Sequence, residues 1–344
     1  MSLNVINLPV SSQRTASTFS TPIENFINLN RLRLANLSTP IEPLDRLRQL
    51  IPGAPEIFIK RDDLTGYFGG GNKLRKLEYV MADALAKRAT TVITNGSVTS
   101  NLARTTAVVA QRLGLKSVLV LNGGDPKSAR ANSRLAELLD VKVYSVNSRQ
   151  ERDEKMNEVA AQLTREGEVV YQIPLGASND VGSFGMVAAM EEVSVQQLEL
   201  GRQFDAVVLA TSSGGTQAGL EVAKRLFGLE QLRIIGISAD DPAHEIKDAA
   251  LKAILPMLEK LGLPSQVSAS ELTVDDSFTG PGYGVATKES KEAMNLFVRA
   301  EGLLLDPVYT SKGAAGFISY LRNGAFRKTD RVLFWHTGGL MTLL

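Results

Sequence analysis

Gly69-Gly70-Gly71-Asn72-Lys73-Leu74-Arg75-Lys76-Leu77-Glu78 joins three consecutive glycines to a helical pattern, and the rest of this 344-residue sequence falls into place around it. Glycines let a backbone approach a bound group closely, and a helix that starts at such a loop turns its N-terminal N–H groups toward that group. Leu74, Leu77, Val80, Met81 and Ala84 recur at helical spacing, so Lys73 is expected where the loop becomes a helix. Upstream, Glu56-Ile57-Phe58-Ile59-Lys60-Arg61-Asp62-Asp63 has the pattern of a short strand followed by a charged turn. A lysine beside a cofactor in a dry pocket loses solvation, which disfavours its ammonium form and leaves a neutral amine able to form a Schiff base. The competing account of Lys73 is a solvated surface residue, the commonest state of lysine.

Beyond the glycine run, β-rich segments alternate with helical patterns. Residues 91–94, 117–121 and 141–144 are expected strands, separated by helices running through Ala110 and Leu139. A second series places strands at residues 204–210, 232–237 and 331–335. Alternation of this kind argues for parallel sheets with covering helices. The expected class is α/β, with two open twisted, mostly parallel sheets and a ligand cleft between two lobes, beyond the carboxyl ends of the strands.

Composition narrows the functional classes. The 38 basic residues against 37 acidic ones leave a net charge of +1, too little to drive binding to nucleic acid or anionic lipid. No segment approaches the roughly 20 apolar residues of a membrane span, so a soluble, cytoplasmic protein is expected. Without cysteine there is no thiol nucleophile or thiolate metal site, and two histidines are too few for a multi-histidine centre or a serine-histidine relay. His244, in Asp240-Asp241-Pro242-Ala243-His244-Glu245, is accounted for by a turn or helix cap. Residues 11–17 have the composition of a loose arm, and Asp125-Pro126-Lys127-Ser128-Ala129-Arg130 that of a loop and helix start. No metal site is expected.

Thr211-Ser212-Ser213-Gly214-Gly215-Thr216-Gln217-Ala218-Gly219 follows an apolar strand and opens a helix, so backbone N–H groups, hydroxyls and a helix N-terminus converge there as they do in phosphate sites. It lacks both the Gly-Lys-Ser/Thr ending of a nucleotide loop and the Gly-x-Gly-x-x-Gly pattern, which favours a small monophosphate. A tight strand-to-helix connection is the plainer alternative. Asn95-Gly96-Ser97-Val98-Thr99-Ser100-Asn101-Leu102-Ala103-Arg104 concentrates hydroxyl and amide groups between a strand and a helix, although capping by Thr99 or Ser100 explains it equally. Thr279-Gly280-Pro281-Gly282-Tyr283-Gly284, Leu305-Asp306-Pro307-Val308-Tyr309-Thr310 and His336-Thr337-Gly338-Gly339 are each readable as turns or strand ends.

Taken in order, these segments closely resemble the pyridoxal-phosphate enzymes of the tryptophan-synthase-β fold, within them the branch of D-cysteine desulfhydrase and 1-aminocyclopropane-1-carboxylate deaminase. The resemblance runs from about Ile41 to the C-terminus. It implies that pyridoxal 5'-phosphate is held covalently by Lys73, that Asn101 bonds its 3-hydroxyl, and that Ser213, Gly214, Gly215 and Thr216 hold its phosphate. Thr337 would face the ring nitrogen, Ser100 would lie near the substrate carboxylate, and Tyr283 and Tyr309 would flank the reacting carbons. The implied division is a large cofactor-binding domain of residues 1–75 and 183–344, a small domain of residues 76–182, and a homodimer.

A neutral threonine at the ring nitrogen implies a weak electron sink, suited to elimination in which charge is quickly expelled with a β-leaving group. The expected reaction is α,β-elimination on a small β-substituted amino acid, foremost D-cysteine to pyruvate, sulfide and ammonia. After Tyr309 the chain has Thr310, as the desulfhydrases do, where the cyclopropane deaminases carry glutamate, which argues against ring opening. After Asn101, however, it has Leu102 where the family usually has histidine, and Val98-Thr99 replaces an isoleucine-glutamine type of pair. These departures make the substrate side less polar. The alternatives are a cyclopropane-carboxylate deaminase and a cofactor-binding protein with little turnover.

Overall fold

The computed structural model describes residues 21–67, 69–123 and 130–343. The arm expected at residues 11–17 and residues 125–129 of the expected loop lie outside the described residues. From the N-terminal side, α1 (Thr21–Ile27) leads to β1 (Ile41–Pro43), α2 (Asp45–Gln49), β2 (Glu56–Arg61) and α3 (Asn72–Ala86). Then come β3 (Thr91–Ser97), α4 (Asn101–Arg112), β4 (Lys116–Asn122), α5 (Arg130–Leu138), β5 (Lys142–Val146), α6 (Glu151–Arg165) and β6 (Val170–Ile173). The chain continues through α7 (Asp180–Glu199), β7 (Ala206–Thr211), α8 (Gly215–Leu226), β8 (Arg233–Ser238) and α9 (Ala243–Leu261). It closes with β9 (Thr273–Asp275), α10 (Lys288–Glu301), α11 (Thr310–Arg322) and β10 (Arg331–His336).

Two sheets result, in the orders β1-β2-β10-β7-β8-β9 and β5-β4-β3-β6. Every neighbouring pair is parallel except the edge pair β1 and β2. The larger sheet is buried on both faces, as parallel sheets covered by crossover helices must be. Alternation along its central strands sorts the side chains. Val207, Leu209, Leu333 and Trp335 pack with α7, α8 and α9, whereas Ala206, Val208, Val332 and Phe334 pack with α10 and α11. Phe334 is fully buried, and truncating such a side chain to alanine costs about 3–5 kcal/mol.

The sheet orders fix where a ligand can bind. In the larger sheet the chain goes from β7 outward to β8 and β9 but returns to the other side of β7 with β10, so a crevice opens at the carboxyl ends of β7 and β10. In the smaller sheet β4 and β5 lie on one side of β3 and β6 on the other, opening a crevice beyond Ser97. The two crevices face one cavity of ≈ 610 Å³ lined by residues from both.

The expected strands coincide with β3, β4, β5, β7, β8 and β10, their ends shifted by a few residues. The alternating pattern did not single out α7, which carries the longest apolar stretch of the larger lobe. Its residues from Gly182 to Met190 are all buried, so it has no polar face to give it a helical period. Among the described residues, no helix is long and apolar enough to cross a membrane.

Candidate active site

Lys73 occupies the first turn of α3, and the residues around it are spent on holding that turn in place. Gly71 sits at φ 119°, and a Cβ there would lie 2.9 Å from the carbonyl oxygen of Thr337, so the loop can pass this close to the end of β10 only as glycine. The N–H of Asn72 donates to that same Thr337 oxygen at 3.0 Å, and its side-chain amide donates to Thr216 Oγ1 at 2.8 Å. Arg75 forks onto Asp62, with Nη2 to Oδ1 at 2.8 Å and Nε to Oδ2 at 3.0 Å, and reaches Glu192 at 2.7 Å. The Trp335 ring N–H also donates to Asp62, at 2.8 Å. Burial works against the charge of Arg75, but Asp62 and Glu192 outweigh it and raise its pKa. Glu78 accepts the N–H groups of Leu34 and Ala35, both at 2.8 Å. Each charged residue that follows Lys73 in the motif therefore has a buried partner. The helix is pinned to β2, α7 and β10, and Gly185 of α7 passes so close that a Cβ would fall 2.3 Å from the Arg75 carbonyl.

The Lys73 side chain is left facing the cavity without a carboxylate partner, and burial lowers its pKa to about 8. Lys76, one turn on, was not singled out from the sequence. Its fully buried ammonium group donates to the carbonyl of Gly176 at 3.1 Å and to Ser178 Oγ at 3.2 Å. Burial first, and then Lys73, push its pKa well below the ordinary lysine value. Ser178 Oγ in turn lies 2.8 Å from Ser213 Oγ, so the buried Lys76 amine is linked through Ser178 to the glycine turn after β7.

That turn is an anion cradle in geometry. Gly214 adopts φ 74° as the N-cap of α8, and a Cβ on it would meet the backbone nitrogen of Ala250 at 2.8 Å. The first N–H groups of a helix have no intrahelical acceptors, and here they point at the cavity wall formed by Ser213, Gly214 and Thr216. Gly215 lies behind that wall: its N–H is taken by Ser213 O at 2.9 Å, and a Cβ would collide with Ser178. A Cβ at Gly176 would stand 2.1 Å from Ser213 Oγ.

Opposite the cradle, Ser100 caps α4 by accepting the N–H of Ala103 at 3.2 Å and also lines the cavity, so capping and site membership are compatible. Asn101 follows it. Its Oδ1, with Asn122 Oδ1 and Thr211 Oγ1, is buried on the lining without a hydrogen-bond partner among the described residues. Leu102 turns its side chain into the core with Leu74, Leu77 and Val109 and borders the cavity only at its edge. Thr337 lines the floor.

The remaining wall is a chain of hydroxyls between the lobes. Tyr309 OH lies 2.6 Å from Tyr283 OH, which is 2.9 Å from Ser97 Oγ and 3.4 Å from Thr99 Oγ1. Tyr309 is aimed by Asp306, whose carboxylate accepts the N–H groups of Val308, Tyr309 and Thr310 and the Thr310 hydroxyl. Thr310 is thus turned away from the cavity. Burial, and then the neighbouring Tyr283, raise the Tyr309 pKa well above 10, so its hydroxyl keeps its proton at neutral pH. The loop carrying Tyr283 is tied down by Lys312, whose buried ammonium group donates to the carbonyls of Thr279 at 2.6 Å, Ala239 at 2.8 Å and Gly282 at 2.9 Å. Arg149 bridges from the smaller lobe to Asp240 and Asp241 and lies over the Tyr283 ring. Lys312 and Arg149 went unnoticed in the sequence because their partners are distant in it, and Asp306 because its partners are the N–H groups of its own turn.

Of the ten site residues expected from the sequence, nine line this one cavity, and Gly215 lies just beneath it. An amine with a depressed pKa, a helix N-terminus at a glycine turn, and unpartnered polar atoms on the facing wall fit a phosphorylated aldehyde with polar ring substituents. Both histidines lie off the site: His244 is in the first turn of α9, and His336 bonds Leu304 O at 2.8 Å.

Comparison with known proteins agrees with this chemistry. Residues 32–338 match the family described as pyridoxal-phosphate dependent enzyme. The chain is 38% identical over 331 residues to D-cysteine desulfhydrase of Klebsiella pneumoniae (strain 342), covering 93% of this chain and 97% of that one. It is 36% identical over 318 residues to D-cysteine desulfhydrase of Yersinia enterocolitica serotype O:8, covering 91% and 94%. A crystal structure of an ACC deaminase homologue superposes with a TM-score of 0.86 at 33% identity over 95% of this chain and 97% of that one. A pyridoxal 5'-phosphate-dependent aspartate racemase, at 15% identity, covers 93% and 94% with a TM-score of 0.66 and shares the fold.

Proposed function

The chain belongs to the pyridoxal-phosphate dependent enzyme family, and from that premise we propose that it is a lyase eliminating the β-substituent of a small amino acid, with D-cysteine as the leading substrate and pyruvate, sulfide and ammonia as products. The observation that carries this reading is the meeting, in one cavity, of the Lys73 amine, the glycine turn at the start of α8 and the hydrogen-bonded pair of Tyr283 and Tyr309. Pyridoxal phosphate, held by a lysine, supplies the electron sink that makes the α-proton of an amino acid removable.

The chain's own residues divide the remaining work. Lys73 provides the attachment amine and, once displaced by the substrate amine, the base at the α-carbon; its lowered pKa leaves a useful neutral fraction near pH 8. Ser213, Gly214 and Thr216 would hold the phosphate, with Gly215 shaping the turn beneath them and the buried Lys76 amine bonded to Ser178 behind it. Asn101 would bond the 3-hydroxyl, and Thr337 would be the neutral partner of the ring nitrogen. Ser100 and the N-terminus of α4 receive the substrate carboxylate. Tyr309, protonated and 2.6 Å from Tyr283, delivers a proton to the departing group. Water then releases ammonia and the 2-oxo acid.

Similarity to an ACC deaminase homologue keeps ring opening as the second reading. Against it, position 310 supplies a hydroxyl committed to Asp306, not a carboxylate facing the cavity. The proposed working unit is a cytoplasmic homodimer, with residues 1–75 and 183–344 as the cofactor domain and residues 76–182 as the small domain. Sedimentation gives its mass directly. The catalytic reading is tested by assaying pyruvate and sulfide from D-cysteine: wild type should release both and Lys73→Ala neither, whereas full activity in that variant would remove the central assignment.

A further inference from the structure

The cavity is lined by three cationic side chains, Lys73, Arg149 and Arg152, and by no carboxylate among the described residues. Arg149 is neutralised: Nη1 donates to Asp241 Oδ1 at 2.7 Å, Nη2 pairs with Asp240, and its face is covered by the Tyr283 ring at 5.6 Å. Arg152 is not. Its Nε donates to the carbonyl of Arg149 at 3.2 Å, and no carboxylate among the described residues lies within ion-pair distance of its guanidinium. Burial and the adjacent Arg149 both work against its charge, while Asp153, Tyr283 and Tyr309 partly offset them. A half-buried cation beside a second cation, with its fork free, is electrostatically incomplete. An anion in the cavity would complete it.

The position of this free cation matters. Arg152 lines the cavity close enough to Tyr283 and Tyr309 to feel their charge, on the wall where, in the elimination reading, the β-substituent departs. We propose that Arg152 forms an anion subsite for the β-substituent, so that the enzyme favours small amino acids whose β-group is charged in the bound state, a sulfonate or a thiolate. This rests on the elimination reading and specifies its substrate class. In the step itself the Cα–H electron pair becomes the Cα=Cβ bond while the Cβ–S bond breaks with its electrons on sulfur. Sulfite leaves paired with Arg152, and a substrate thiolate leaves as hydrosulfide, the Tyr309 proton passing to sulfur as the Cβ–S bond breaks and solvent then reprotonating Tyr309. One water per turnover completes the balance to 2-oxo acid, ammonia and sulfite or sulfide.

The test compares wild-type holoenzyme with Arg152→Gln and Arg152→Lys on the enantiomers of cysteate and of β-chloroalanine, whose β-substituents are charged and neutral, respectively. Arg152→Gln should lose about 10- to 100-fold more kcat/KM on cysteate than on β-chloroalanine, and Arg152→Lys should retain most of the selectivity. Binding of 3-sulfopropionate to the holoenzyme, followed by calorimetry, should weaken by a similar factor in the glutamine variant. Equal losses on both substrates, or sulfopropionate binding independent of residue 152, would overturn the subsite. Wild-type protein that turns over neither amino acid would sink the elimination reading and its substrate class, while sulfopropionate binding would still decide whether Arg152 binds anions.

Discussion

The two ends of the cavity are built differently. At the cofactor end the contacts are short in sequence or buried: a glycine loop with no space for side chains, a helix N-terminus, and α3 clamped by Arg75, Asp62, Glu192 and Trp335. At the substrate end four distant segments, at residues 97–102, 149–152, 283–285 and 307–309, meet through hydroxyls and an arginine bridging the lobes. The first end tolerates little change, because a Cβ at Gly70, Gly71 or Gly214 would fall within 3 Å of backbone atoms and one at Gly215 within 3 Å of Ser178. The second is where Leu102, Val98 and Thr99 depart from the family pattern, Leu102 and Val98 packing into apolar clusters as well as lining the cavity. A fixed cofactor seat beside an adjustable substrate wall lets one fold serve several reactions.

The largest effect expected from this contrast is at the clamp. Asp62→Asn leaves Arg75 facing a neutral amide in a buried site, and unfolding in urea should show a loss of about 3–5 kcal/mol. A loss below ~1 kcal/mol would mean that the cofactor end is not rigidly anchored.

Next in size is a pH effect at Lys73 in the cofactor-free protein. The folded pKa of about 8 lies below the ordinary lysine value of 10.5, so the neutral amine grows as pH rises through about 8. Covalent uptake of pyridoxal phosphate should therefore speed up by about 100-fold between pH 6 and 9 and then level off. The buried charge costs stability in full below pH 8 and is relieved between there and 10.5. An uptake rate still climbing tenfold per unit at pH 9 would show an unperturbed lysine.

On the substrate wall, smaller effects and intact cofactor binding are expected. Lys312→Met leaves three carbonyls without a donor and frees the Tyr283 loop, which should lower kcat/KM about tenfold, with ammonium ions restoring part of it. An equal fall in cofactor affinity would erase the contrast between the two ends. Smallest is Leu102→His, which puts a polar ring into the packed cluster of Leu74, Leu77 and Val109. Stability should fall by about 1–3 kcal/mol and kcat/KM on D-cysteine by only a few-fold.

The same contrast governs what the sequence reveals. Residues 69–78 and 211–219 are legible because a strand, a glycine turn and a helix start are local events with local patterns, and Lys73, Ser213, Gly214 and Thr216 line one cavity with Gly215 beneath it. Lys76 stood inside the quoted motif yet carried no signal, since only the fold brings Gly176 and Ser178 to its amine. Arg149 and Arg152 lie in Arg149-Gln150-Glu151-Arg152-Asp153-Glu154, which has the composition of a solvated helix start until Asp240, Asp241 and Tyr283 arrive from the other lobe. The Thr310 hydroxyl, read from the sequence only as a replacement for glutamate, is bound to Asp306 in the fold.

Everything above depends on which lysine holds the cofactor, and two neighbouring amines with lowered pKa values compete for that role. Protein loaded with pyridoxal phosphate, reduced with borohydride and mapped by peptide mass spectrometry should carry the pyridoxyl label on Lys73 alone. Label on Lys76, or on a lysine outside the cavity, would contradict the account.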